Sequence, residues 1–309
     1  MTATVLCATD LSAEGHLPVE LASDVARRLG AELQLLHVGD DPRAHLPDPI
    51  PNEIRPAVEQ LEQRLEARRQ KHEQELQRMC ELAGSRGVPC TTSIAEGRAW
   101  EVIVDAAERT PAPDLVVVGA HGSGRNLALA RLGSRILGST ADRVVRHAQR
   151  PVLVAPVERP SPVLGDGPVV VGIDPSEISV RAAAVAAELA DRVERRLIAV
   201  HVLPRTSDRV EAFAMLDDHA ERRAAERFAS LEKALPGRVT LRLVTAFEGP
   251  AEALVESASS VDACVLAVGT HARQGPSRWI LGSTAERVLR LAKMPVLIVP
   301  PGARALSPR

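Results

Sequence analysis

The sequence predicts an α/β protein made of two tandem, doubly wound domains, each an open five-stranded parallel sheet. Three observations predict this. First, the chain repeats itself at long range. Leu137-Gly138-Ser139-Thr140-Ala141-Asp142-Arg143-Val144 leads into Pro151-Val152-Leu153-Val154, and Leu281-Gly282-Ser283-Thr284-Ala285-Glu286-Arg287-Val288 leads at the same distance into Pro295-Val296-Leu297-Ile298. A repeat of so long a period fixes the number of domains. Second, short apolar runs alternate with amphipathic stretches in both copies, which is the pattern of βαβ units. Third, polar residues and glycines gather where the apolar runs end, and open parallel sheets carry their functional crevice beyond those ends.

The register extends through both halves. Asp10 matches Asp174, His37 matches His201, Gly97 matches Gly249, Gly119 matches Gly269 and Gly138 matches Gly282. The spacing between matched residues shrinks in steps, so the first half is longer between His37 and Gly97 and again between Gly122 and Gly138. Length differences of this kind belong to loops and helix ends. A first domain over residues 1–157, a linker over 158–167 and a second domain over 168–309 are expected. The linker carries Pro160, Pro162, Gly165 and Gly167, which break regular structure. Two domains of similar size also suit a chain of 309 residues.

Each element can be justified in order. Thr4–Ala8 and Val169–Ile173 are apolar runs ending at Asp10 and Asp174, and read as buried strands. Helical patterns follow over about 17–29 and 180–193, then strands Glu32–Val38 and Leu197–Val202, each ending in His-Val. The charged stretches over about 52–84 and 208–235 space Leu, Val and Ala at three and four residues, as an amphipathic helix does. Strands near 89–94 and 239–244 come next, then helices after Gly97 and Gly249. Leu115–Val118 and Val265–Val268 are strands that run into Gly-x-His turns. A helix from the Gly-Ser-Thr segment and a Pro-Val strand close each half.

Composition narrows the function. Hydrophobic residues make up 45% and charged residues 25% of the chain, enough for real cores. Aromatics are 2% with no Tyr, so Val, Leu, Ile and Ala fill those cores, and stacking platforms for single-stranded nucleic acid are not expected. A net charge of −2 gives no large basic face for duplex DNA. Cys7, Cys80, Cys90 and Cys264 fit no metal or redox spacing, so a reduced, intracellular chain is expected. No apolar run reaches membrane-spanning length and the N-terminus has no secretory pattern. The expectation is a soluble cytoplasmic protein without nucleic-acid or membrane partners.

The residues that carry chemistry lie at the strand ends. Gly119-Ala120-His121-Gly122 leads to Gly138-Ser139-Thr140, and glycines there let the backbone come close to a ligand. Ser139 with Asp142, and Ser283 with Glu286, fit a capping box. A helix would then begin beside each serine, and its bare N–H groups suit a phosphate chain, although capping boxes also open helices that bind nothing. Asp10 and Asp174 are placed to accept hydrogen bonds from a ribose or an adenine amino group, or to cap the following helix with Ser12 or Ser176. His121 and His271 read as backbone-bonded turn residues, and His37 and His201 as packed strand ends. Two look-alikes fall away. Gly133-x-x-x-x-Gly138-Ser139-Thr140 lacks the lysine of a phosphate-binding P-loop, and Gly122-Ser123-Gly124 lacks the third glycine of a dinucleotide fingerprint.

On Asp10 and Asp174, the Gly-x-His turns, the Gly-Ser-Thr helix starts and the terminal Pro-Val-Leu strands, the chain resembles the universal stress protein family in its tandem two-domain form. The resemblance implies a Rossmann-like, adenine nucleotide alpha hydrolase-like fold and a stress-response regulator rather than an enzyme. The alternatives are a nucleotide-free scaffold and a slow ATP hydrolase. It implies ATP, with or without Mg²⁺, as ligand. The phosphates would be wrapped by a loop of Gly, two residues, Gly, nine residues, Gly, then Ser or Thr. It also implies an association edge along the last strands, Val152–Ala155 and Val296–Val299, open to the other half or to a second copy. The first half has Gly119 and Gly122, but fifteen residues separate Gly122 from Gly138. The second half keeps nine residues before Gly282 but has Ala272 in place of the second glycine. Spacing therefore favours the second half, with Gly269, Arg273, Gly282, Ser283 and Thr284 at the phosphates and Asp174 and Val202 at the nucleoside. The corresponding first-half set is Asp10, Val38, Gly119, Gly122, Gly138, Ser139 and Thr140.

Overall fold

The structure is a computed structural model that describes residues 3–12, 16–40, 42, 47, 50–121, 137–157, 164–174, 176–204, 222, 239–246, 249–270 and 281–304. The first half runs β1 (Thr4–Thr9), α1 (His16–Leu29), β2 (Glu32–Gly39), α2 (Arg55–Ser85), β3 (Cys90–Glu96), α3 (Ala99–Glu108), β4 (Leu115–Gly119), α4 (Ser139–His147) and β5 (Val152–Ala155). The second half runs β6 (Val169–Gly172), α5 (Glu177–Arg192), β7 (Leu197–Pro204), β8 (Val239–Ala246), α6 (Pro250–Ser259), β9 (Val265–Gly269), α7 (Ser283–Leu291) and β10 (Val296–Val299). The helix expected over 208–235 lies outside the described residues.

Both halves have the same strand order, β3-β2-β1-β4-β5 and β8-β7-β6-β9-β10. Within each half every ladder is parallel. The order reverses between β1 and β4 and between β6 and β9, which opens a crevice at the carboxyl end of each sheet. The two sheets are continuous: β10 pairs antiparallel with β5, with Leu297 opposite Leu153, so ten strands form one sheet. Both last-strand edges are thereby used within the chain, and β3 and β8 are the outer strands.

Strand periodicity divides the core. Val5 and Cys7 of β1 point into one apolar layer with α1 and α2, while Leu6 points into the other with α3 and α4. β10 does the same, with Leu297 and Val299 on one face and Val296 and Ile298 on the other. The scarcity of aromatics is met by alanine: Ala182, Ala183, Ala186, Ala187 and Ala190 of α5 are all buried, letting that helix lie close on the sheet.

Two features depart from the sequence reading. Cys80 near the end of α2 and Cys90 at the start of β3 form a disulfide, with Cα atoms 5.4 Å apart. The cysteines were expected to be reduced. Their pairing arises because the turn after α2 folds the chain back onto the strand, which spacing alone does not show. Gly97 and Gly249 are also not structural equivalents. Gly249 is the N-cap of α6, whereas Arg98 caps α3 and Gly97 precedes it at φ 131°.

Candidate functional site

In the first half, β1 and β4 end side by side below the starts of α1 and α4. A cavity of about 220 Å³ opens there. Asp10 and Thr9 line it together with Gly138, Ser139 and Thr140, and Val38, Ala99 and Ile103 add apolar surface. Gly119 and His121 also line the cavity. The Asp10 carboxylate accepts from Ser12 N at 3.1 Å and Ser12 Oγ at 2.7 Å. Leu11, between them, takes a left-handed φ of 59°. This tight turn presents the acid at the crevice.

Behind the wall, His37 is buried and its Nδ1 lies 2.9 Å from the Thr9 carbonyl. A carbonyl only accepts, so Nδ1 carries the proton. His201 repeats the contact, 2.8 Å from the Ile173 carbonyl. The histidine that ends each second strand therefore pins the end of the first. His72 of α2 meets the His37 ring edge-on, centroids 4.5 Å apart. Burial, and then the neighbouring His37, hold the pKa of His72 below its ordinary value.

The second half builds a smaller counterpart of about 160 Å³, lined by Asp174, Ser176, Ile178, His201, Val202, Gly269 and Thr284 among others. Asp174 accepts from Ser176 N at 2.9 Å and from Ser176 Oγ. Ser176 itself is the N-cap of α5, accepting from Ser179 N. The cap role is thus held by Ser176, and Asp174 orients it. Gly282 and Ser283 stand at the start of α7 but do not line this cavity. Spacing favours the second half, whereas the larger cavity, with its helix start on the wall, lies in the first.

The capping boxes do not form. Gly138 is the N-cap of α4 and Gly282 that of α7, and neither cap makes a side-chain hydrogen bond. Ser139 and Ser283 are the first helical residues, one position too late to cap. Asp142 turns instead to Arg146, with both carboxylate oxygens 2.9 Å from Nε, and Glu286 bonds Arg290. The Asp142 hydrogen bond pushes the Arg146 pKa further up. Neither N-cap residue therefore offers a side chain to the first-turn amides of its helix.

The strand-end glycines have a packing role. A Cβ at Gly269 would lie 2.8 Å from Ile178 Cγ2, and one at Gly119 would lie 3.1 Å from Pro18 Cγ. Glycine there lets α5 and α1 begin hard against the strand ends. Gly122, Arg273 and His271 lie outside the described residues. Sequence reasoning missed Thr9, Ala99, Ile103 and Ala141 as cavity lining. The signal for Ala141 was present, since Ala285 occupies the same place in the second copy and in the second cavity.

Comparison with known proteins agrees with this architecture. The model of the universal stress protein family matches twice, over residues 1–156 and 167–300. The universal stress protein Rv2005c of Mycobacterium tuberculosis is 36% identical over 192 residues, 60% of this chain. That match spans only 61% of the relative's length. Rv2623 of the same organism is 32% identical over 231 residues, covering 72% of each chain. A universal stress protein structure from Archaeoglobus fulgidus superimposes over 97% of this chain and 98% of its own, with TM-score 0.66 and 20% identity. Another from Archaeoglobus fulgidus is in complex with dAMP, covering 43% of this chain and 97% of its own at 23% identity and TM-score 0.32. The family match spans nearly the whole sequence and the structural likeness reproduces both halves: the chain belongs to the universal stress protein family.

Proposed function

We propose that this protein is a regulatory module that binds an adenine nucleotide in the crevice between β1 and β4, and that the first half offers the better-formed site. One observation carries this reading: Asp10 and the start of α4, whose N-cap glycine supplies no side-chain cap, line one and the same cavity. An α-helix start with free N–H groups attracts phosphate. A strand-end carboxylate accepts hydrogen bonds from ribose hydroxyls or an adenine amino group. Val38, Ala99 and Ile103 give the base an apolar seat, while Ser139 and Thr140 hold the first phosphate and Gly138, whose own amide donates to the Ala120 carbonyl, lets it come close.

ATP is the proposed ligand. Among the described residues no group of three His, Cys, Asp or Glu could hold a metal, so Mg²⁺ would ride on the phosphate oxygens. The second half, with Asp174, Val202, Gly269, Gly282, Ser283 and Thr284, is proposed as a smaller site of the same kind, and Gly122 and Arg273 as members of the phosphate-side loops. We take residues 1–157 and 168–309 as the two binding units, acting in the cytoplasm, with the last strands reserved for each other. No helix among the described residues is long and apolar enough to cross a membrane.

Mass spectrometry of small molecules released on denaturing the purified chain tests the reading. An adenine nucleotide should be released from the wild type. Asp10→Ala should weaken binding by about tenfold or more, the effect of losing hydrogen bonds to a charged group. A wild-type chain that carries no nucleotide and gives no heat with millimolar ATP would overturn it.

A further inference from the structure

The first-half cavity has a neighbour. Beside Leu137, just before the α4 start, lies a smaller cavity of about 50 Å³, and the two cavities share Ala120 and His121 as a common wall. The end of β5 forms one side of the small cavity. The other side comes from the second half: Leu289 near the end of α7, then Ala292, Lys293 and Met294 in the turn before β10. The antiparallel ladder causes this, because it sets Val296 at the start of β10 opposite Val154 near the end of β5. A cation of one half thus lines a cavity that adjoins the crevice of the other. Lys293 is exposed and makes no ion pair among the described residues.

We infer that the first-half site is composite, with Lys293 of the second half binding the distal phosphates of a nucleotide whose first phosphate rests on the α4 amides. The inference depends on the nucleotide reading above and adds to it a residue of the other half that separates di- and triphosphates from monophosphates. A monophosphate ends at the helix start. A longer tail continues past Leu137 into the adjoining small cavity. An ammonium on a flexible stem suits that end, being a compact charge that needs no fixed geometry. Discrimination between ATP and AMP in the first half then requires both halves in one chain.

The test uses the full chain and the photoreactive probes 8-azido-ATP and 8-azido-AMP, with labelled peptides resolved by mass spectrometry so that each half reads separately. Lys293→Gln should weaken first-half labelling by the ATP probe about five- to tenfold, the scale of a partly exposed charge-assisted contact. Labelling by the AMP probe should stay within about twofold, since a contact to a phosphate that AMP lacks contributes nothing to its binding. Lys293→Glu should deepen the ATP defect. If wild-type first-half peptides label but Lys293→Gln leaves the ATP probe unchanged, or weakens both probes equally, the composite site is wrong and the nucleotide reading survives. If neither probe labels the wild type, the nucleotide reading falls and the composite site falls with it.

Discussion

At Gly167 the linker backbone enters the second half against the turn that precedes β9. A Cβ there would overlap the carbonyl of Asp262 and lie 3.1 Å from that of Val261. Backbone cannot swing aside as a flexible side chain can, so Gly167→Ala should destabilise the chain by about 1–3 kcal/mol. Gly84, near the end of α2, has nothing within 4 Å of the same built atom. Gly84→Ala should therefore stabilise by about 0.5–1 kcal/mol through helix propensity. Urea midpoints of the two variants should move in opposite directions, and a shift of the same sign in both would contradict the packing described here. At the same scale, Asp10 and Asp174 share one local design, a carboxylate that holds the serine two residues on. The duplication of both residues made that design visible in the sequence.

Helix starts separate the elements into two kinds. α5 is capped by a serine side chain, whereas α4 and α7 begin at glycines that offer none. α2, α3 and α6 likewise begin without a side-chain cap. At the sheet end away from the crevice, the Cys80–Cys90 bridge ties α2 to β3, while Cys7 and Cys264 are buried. Burial raises both remaining thiols, Cys264 to about 11 and Cys7 further still. A thiol reagent at neutral pH should thus find no reactive cysteine in the native chain. It should find two after unfolding without reductant and four after reduction; four before reduction would contradict the bridge. The strands and their order of appearance were legible because short apolar runs alternate with amphipathic stretches, and those of β1, β4, β6 and β9 run up to Asp or Gly. The caps were misread because Ser-x-x-Asp sits one residue inside the helix, and its acid found an arginine one turn on. The bridge was illegible because a helix end and a strand start meet only after folding.

Across the whole molecule, the β5–β10 ladder makes two crevices parts of one body. α4 and α7 approach at the junction, where Arg146 binds Asp142 and lies 3.7 Å from Glu286 of the other half. Glu286 in turn binds Arg290. Each of these acids is in the first turn of a helix whose start faces a candidate phosphate position. Lys293 joins the first-half site by the same geometry, which no inspection of either repeat alone reveals. The central claim is that bare amides at these helix starts receive the phosphates of a nucleotide. Amide hydrogen exchange of the full chain, with and without millimolar ATP, tests it most directly. The account predicts slowed exchange over Ser139–Ala141, with a weaker effect over Ser283–Ala285. Exchange unchanged by ATP at both helix starts would contradict it.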